Sequence, residues 1–407
     1  MRLRSVRGLV AVSSPRRVWL ITGAHAVNEF YSVALPPILH LLVADFDITL
    51  GQAGALLTVF YAMYSVFQLP AGALADRLGK KPVLGAGMVV LAAGIFLAAQ
   101  ADSYLTLVGA QALAGIGGST YHPSGMSLIS DLESGATEGK AMGIHGLGGV
   151  AGTAMAPAII GGLAVLFDWR TALMAGAAVG VAYAAVFVLW FPSPDDGAAP
   201  EAAADGGSPE RGGLRARARD AVNVPLAWWV VGLFVANLLI SLEIGAVRTF
   251  AASYLVLRTG GSTAVSNAVF FVMLAGGGVA SLGAGSLADR MDRRTLGVGV
   301  LALSALALAA TAAVPEAPLA LTAWFFLLGV ILYAAFPALN ALTSAYAKRG
   351  FSGSLFGVML TAGALGGAGG PLLVGVVAER LGLVATFPLI AAVSVAGLVA
   401  FLGLYRV

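Results

Sequence analysis

Hydrophobic residues along this chain collect into long blocks separated by short polar clusters. The blocks fall near 18–43, 52–75, 82–100, 104–130, 139–166 and 170–191, and after a gap at 225–257, 264–288, 295–314, 318–345, 352–379 and 384–405. A bilayer core of about 30 Å asks for ~20 apolar residues per helix, so each block predicts one membrane-crossing helix. The gap, residues 192–224, is rich in Pro, Ala, Gly, Ser and charge. It is too poor in apolar residues to fold alone and predicts a flexible linker on the cytoplasmic side. The expected organisation is a six-helix bundle over 1–191, the linker over 192–224 and a second six-helix bundle over 225–407.

Composition agrees. Of 407 residues, 59% are hydrophobic and 11% charged, against about 25% charged in soluble domains. The absence of cysteine excludes disulfide and thiol chemistry. The first apolar block is too long for a signal-peptide core and no small-residue cleavage site follows it, which predicts a retained first span. With the N-terminus placed in the cytoplasm, 19 of the 23 Lys and Arg fall on that side, Arg170, Arg258 and Arg380 fall outside, and Arg248 falls within a span. That asymmetry obeys the positive-inside rule. It also accounts for the basic balance without any nucleic-acid partner. The expected location is the cell membrane, multi-pass, with both termini cytoplasmic.

The two halves repeat one another. "GALADRLGKKPV" from Gly72 returns as "GSLADRMDRRTL" from Gly285, an offset of 213. At offset 214, Gly115 and Pro123 match Gly329 and Pro337, and Gly143, Gly149, Gly152, Pro157 and Gly161 match Gly357, Gly363, Gly366, Pro371 and Gly375. Three blocks at nearly one offset predict a parallel duplication of a six-helix unit.

With these features the chain resembles the major facilitator superfamily. Gly72, Asp76, Arg77, Gly79, Lys80 and Lys81 fit the superfamily's signature loop between helices 2 and 3, and Asp289 and Arg290 belong to its repeated copy. The resemblance implies an all-α fold of twelve transmembrane helices in two pseudosymmetric bundles. Physically, a small residue at Gly72 lets helices approach, Asp76 can cap a helix N-terminus, and the cations can pair with it at the cytoplasmic rim, so a gating loop is expected, with charges that only enforce topology as the plainer alternative. "HAVNEFYSVALPPILHLL", "GIGGSTYHPSG" and "GIHGLGGVAGTAMAPAIIGG" are similar to the fosmidomycin-resistance-type branch. That likeness implies export of a small organic compound or drug by exchange for protons. The fifth block also resembles the superfamily's antiporter motif, although Ala156 and Ile160 replace glycines, and simple helix packing would explain the remaining glycines equally well. In helix 4, Gln111 stands where many drug antiporters carry arginine, so a proton relay must use other residues.

Ionisable groups inside spans are functional candidates by default. His25 and Glu29 are four apart and share one helix face, with Asn28 and Ser32 beside it. At ~1.5 Å per residue, Glu29 lies about 15 Å from Trp19, near mid-bilayer. An acid there can take a proton from one side and release it to the other, and an imidazole tunes it. A helix-packing hydrogen bond is the plainer alternative. The expected proton-coupling residues are Glu29, His25 and His122. Glu243 repeats Glu29 at offset 214 and predicts a matched carboxylate on the central cavity, with Arg248 roughly 140° further round an ideal helix. Asn28, Ser32, His145, Glu243, Arg248, Tyr333 and Asn340 are the expected substrate and cavity residues.

No P-loop, metal-spaced cluster or G-x-S-x-G occurs, so neither an enzyme nor an ATP-driven pump is expected, and no cofactor or metal. The expected function is secondary active transport by alternating access. Proton antiport exporting a small organic compound is the leading form, and proton-coupled import of a small organic acid is the alternative. A transporter-like sensor would carry a soluble domain, for which the linker has no room. The expected partners are the substrate, protons and the lipid bilayer, with the chain working as a monomer.

Overall fold

The structure, a computed structural model, describes residues 12–192, 228–288, 291–346 and 352–403. The expected linker falls almost wholly outside the described residues, as do Asp289 and Arg290 of the gating-loop copy. Among the described residues, eleven helices are long and apolar enough to cross a membrane. A twelfth crossing is made of two shorter pieces, so the expected twelve spans are present.

The first half holds α1 (Pro15–Phe46), α2 (Leu50–Leu78), α3 (Lys80–Ala99), α4 (Tyr104–Gly118 and Tyr121–Leu132), α5 (Ala136–Ala156, continued by Pro157–Gly161 and Gly162–Leu166) and α6 (Trp169–Trp190). The second half holds α7 (Trp228–Arg258), α8 (Thr263–Ala288), α9 (Arg293–Ala310), α10 (Pro318–Tyr346), α11 (Ser352–Leu381) and α12 (Leu383–Leu389 and Ala391–Gly403).

Local chemistry sets the starts and the breaks. Thr49 and Gln52 form a reciprocal capping box at the head of α2, while Asp168 and Asp292 cap α6 and α9 through the Thr171 and Thr295 N–H groups. α1 halts after Ser32 and resumes through a tight turn at Pro36–Ile38, because a proline ring excludes the carbonyl four residues before it. Pro123 acts likewise on α4, which is interrupted at Ser119 and Thr120. The expected continuous block at 104–130 is therefore two helices, and His122 lies in the first turn of the second.

The halves are built alike. In each, the first and fifth helices pack together (α1 on α5, α7 on α11), as do the second and fourth (α2 on α4, α8 on α10) and the third and sixth (α3 on α6, α9 on α12). The repeated glycines do the same work twice. A side chain at Gly152 would strike the Ala26 carbonyl of α1, and one at Gly366 would strike the Leu238 carbonyl of α7. Gly115 and Gly329 likewise lie against the Phe60 and Met273 carbonyls, too close for a Cβ at either position. Small residues are what let such helix backbones approach.

The two halves meet at the end of the molecule remote from Ser14. Glu379 Oε1 accepts the Gly51 N–H at 2.9 Å, Thr58 donates to the Ala368 carbonyl at 2.6 Å, and Asn267 donates to the Pro37 carbonyl at 3.2 Å. His40 bridges to Thr263 across the halves at 2.9 Å. Gly54 lies against the Pro371 carbonyl and Gly375 against that of Leu50. The opposite end carries the loop between α2 and α3. There Lys80 pairs with Asp131 of α4 and not with Asp76. Asp76 lies exposed in the last turn of α2, and Gly79 (φ +91) heads α3 without a side-chain cap, so the expected capping role of Asp76 is corrected. Arg77 is also exposed.

Candidate functional site

Between the halves lies a cavity of about 290 Å³. His25 and Glu29 of α1, His122 of α4, and Gly146, Gly149, Val150 and Thr153 of α5 line one wall. Arg248 of α7, Leu274, Gly277, Gly278 and Ser281 of α8, and Tyr333 of α10 line the other. This is near the lower end of the ~300–1,000 Å³ typical of small-molecule sites.

Glu29 is the centre of the first wall. Its Oε1 lies 3.9 Å from His25 Nε2 and 3.9 Å from His122 Nε2. Asn28 donates to Oε1 at 3.1 Å, and Ser32 donates to Oε2 at 3.3 Å. His25 Nδ1 is 2.8 Å from the His145 carbonyl. A carbonyl can only accept, so Nδ1 carries a hydrogen, which leaves Nε2 as the ring atom facing Glu29. The ring lies nearly parallel to two neighbours, with centroids 4.0 Å from His145 and 4.9 Å from Tyr121, and those two rings are themselves 5.8 Å apart. Gly149 makes room for it, since a Cβ there would fall 2.5 Å from the imidazole. His145 thus stands behind His25 and supports it without lining the cavity.

His25, Glu29 and His122 bring one ligand atom each within 4.8 Å of one another. Bonds of about 2.0–2.1 Å in a tetrahedral site would hold ligand atoms ~3.3 Å apart. The 3.9 Å separations are wider than this, and wider than a direct hydrogen bond.

On the second wall, Arg248 donates to the Tyr61 hydroxyl at 2.6 Å, and Tyr61 donates in turn to the Ser32 carbonyl at 2.7 Å. Tyr64, on the same face of α2, accepts from Asn28 at 2.9 Å. Neither tyrosine was among the expected site residues. Their spacing of three within one apolar span was the available signal, because a buried hydroxyl needs a partner.

Glu243 does not reach the cavity. It is buried, 3% exposed, and accepts a hydrogen bond from Ser394 of α12 at 2.8 Å. Arg248, five residues on, faces the cavity, so the ~140° between them sends the acid into the second bundle. The expected matched pair of cavity carboxylates is therefore corrected. Asn340 is exposed and does not line the cavity. Gly72 approaches Pro123 of α4, 3.4 Å from its would-be Cβ.

An internally repeated bundle of helices of membrane-crossing length, with a mostly apolar cavity between its halves that holds a few ionisable groups, has the architecture of a membrane transporter. The model of the Major Facilitator Superfamily matches residues 18–368 and 233–407, and the chain belongs to that superfamily. It is 27% identical to the uncharacterised transporter YfnC of Bacillus subtilis, over 93% of this chain and 90% of that protein. It is 30% identical to the fosmidomycin resistance protein of Escherichia coli over 34% of each chain. A bacterial homologue of the human lysosomal transporter Spinster, in an inward-facing, unoccupied conformation, shares the fold at a TM-score of 0.82 and 17% identity, covering 97% of this chain and 98% of that one.

Proposed function

We propose that this protein is a proton-coupled carrier that moves a small polar organic compound across the cell membrane by alternating access. The observation that carries this reading is the placement of Glu29 between two imidazoles on the wall of the central cavity. Glu29 takes up the proton, His25 and His122 accept or return it, and Asn28 and Ser32 orient the carboxylate. His145 holds the His25 tautomer. The positive-inside distribution of Lys and Arg supports cytoplasmic termini, which makes the sealed end the outer one and the cavity inward-facing. Lys80, Asp131 and the adjoining loop are the moving contacts of the cytoplasmic gate, and the chain acts as a monomer.

Export by proton antiport is supported by the partial likeness to a resistance protein. Arg248 favours a second reading, uptake of an organic acid with a proton. Everted vesicles test the coupling. A phosphonate antibiotic added to energised vesicles should dissipate the proton gradient under antiport, and Glu29→Gln should abolish the response. A full response from the Glu29→Gln carrier would overturn the proton-site assignment.

A further inference from the structure

We propose that Arg248 and Tyr61 form the binding site for the acidic group of a small organic anion, and that this anion binds together with a proton on Glu29. The second part rests on the proton-site reading above, and the first part stands without it.

Arg248 is a permanent cation placed on the wall of a membrane-embedded cavity. No carboxylate of the described residues lies within 4.0 Å of it, and its buried Nε has no hydrogen-bond partner. The acid on its own helix, Glu243, is committed to Ser394. Arg248 is bonded instead to Tyr61, which is itself anchored to the Ser32 carbonyl. The guanidinium also lies 5.1 Å from the Tyr61 ring centroid. A charge removed from water is costly until an opposite charge completes it. The guanidinium fork suits a planar carboxylate or a phosphonate, and it is held in place before either arrives. The cavity volume of about 290 Å³ limits the occupant to a small molecule.

The sign of the proton linkage follows from charge. Glu29 is faced by His25 on its own helix, His122 from α4, Tyr61 and Tyr64 from α2, Arg248 from α7 and Tyr333 from α10. Arg248 is the fixed positive charge among them. While Glu29 is ionised, it already offsets Arg248, and a second anion would leave the cavity with excess negative charge. A proton on Glu29, or on either imidazole beside it, removes that excess. Anion and proton therefore promote each other's binding, and by reciprocity each does so by the same factor. A monoanion then crosses with its proton in the same direction as an electroneutral pair. Exchange of an anion for a proton would require the opposite linkage, so for this substrate class the second reading above applies.

Thermal unfolding of the purified carrier should be measured with lactate, benzoate and methylphosphonate, and with lactamide, benzamide and dimethyl methylphosphonate as uncharged counterparts. At least one acid should raise Tm where its counterpart does not. Arg248→Gln should weaken that acid's affinity by about 30-fold or more, and Arg248→Lys should keep part of it. Tyr61→Phe, which retains the charge, should weaken it less than Arg248→Gln and serves if Arg248→Gln does not fold. Equal stabilisation by the uncharged counterparts, no effect of any acid, or full affinity in Arg248→Gln and Tyr61→Phe overturns the anion site. In weakly buffered solution with a pH indicator, adding the active acid should alkalinise the medium. Proton release, or no exchange, overturns the linkage. Glu29→Gln should bind the acid without that proton uptake. Undiminished uptake in this variant overturns the proton site and leaves the anion site standing.

Discussion

Glu379→Ala should shift the carrier toward the conformation open at the Gly51 end. Glu379 Oε1 accepts the Gly51 N–H at 2.9 Å in the first turn of α2, where backbone donors have no partner within the helix. It therefore acts as a cap supplied by the other half of the molecule. Losing a helix cap costs about 0.5–2 kcal/mol, and a carboxylate at a helix N-terminus contributes about 0.3–1 kcal/mol through the dipole. Glu379 is exposed, so the lower part of the range applies, roughly 0.5–1 kcal/mol. At about 1.4 kcal/mol per factor of ten, the closed-to-open ratio should fall two- to fivefold. The cysteine-free chain admits spin labels at Phe167→Cys and Ala317→Cys, two exposed positions near this end, one in each half. Pulsed electron–electron distance measurements should show the longer-distance population growing by that factor. A ratio unchanged by Glu379→Ala, or a shift toward shorter distances, would refute the reasoning.

Gly149→Ala should displace the His25 ring, whose Cε1 lies 2.5 Å from the added Cβ, and abolish proton-coupled uptake in vesicles while the protein still inserts. Gly152→Val should lower Tm by an amount matching about 1–3 kcal/mol of overpacking, because the added side chain meets the Ala26 carbonyl. Lys80→Gln breaks a partly exposed ion pair with Asp131, so its stability change should stay within about 1 kcal/mol by thermal unfolding. Burial pushes the Glu133 carboxyl up, but hydrogen bonds from the Ser13 and Ser14 N–H groups outweigh it and hold the carboxyl below its ordinary range. This tether is at full strength above the unfolded carboxylate pKa, about 4.3, and is lost as pH falls through the lower folded value. A spin label at Val12→Cys should therefore be immobile at neutral pH and mobile in acid, and mobile throughout in Glu133→Gln.

The twelve spans and the duplication were legible because both are patterns of composition and spacing. Gly152 and Gly366 matched by offset in the chain and prove to touch equivalent backbones. What an offset does not carry is rotation about the helix. Glu29 and Glu243 occupy corresponding positions, yet one faces the cavity and the other faces Ser394. His25 and Glu29 could be paired along one helix. The approach of His122 depends on the break in α4, whose cause, Pro123, was visible while its effect on the ring was not. Nothing in the sequence says which way the hydroxyls of Tyr61 and Tyr64 turn, and only packing brings them to Arg248 and Asn28.

The contact that closes the Gly51 end is largely main chain against main chain, with Gly54 on the Pro371 carbonyl and Gly375 on that of Leu50. Its glycine contacts carry no charge and no side-chain rotamers, which leaves the Glu379, Thr58, Asn267 and His40 side chains as the parts of the wall that must let go before it opens. It blocks water, ions and organic compounds alike. Where the seal is backbone against backbone it depends little on side-chain identity, so residues lining the cavity can change without that part of the wall being rebuilt.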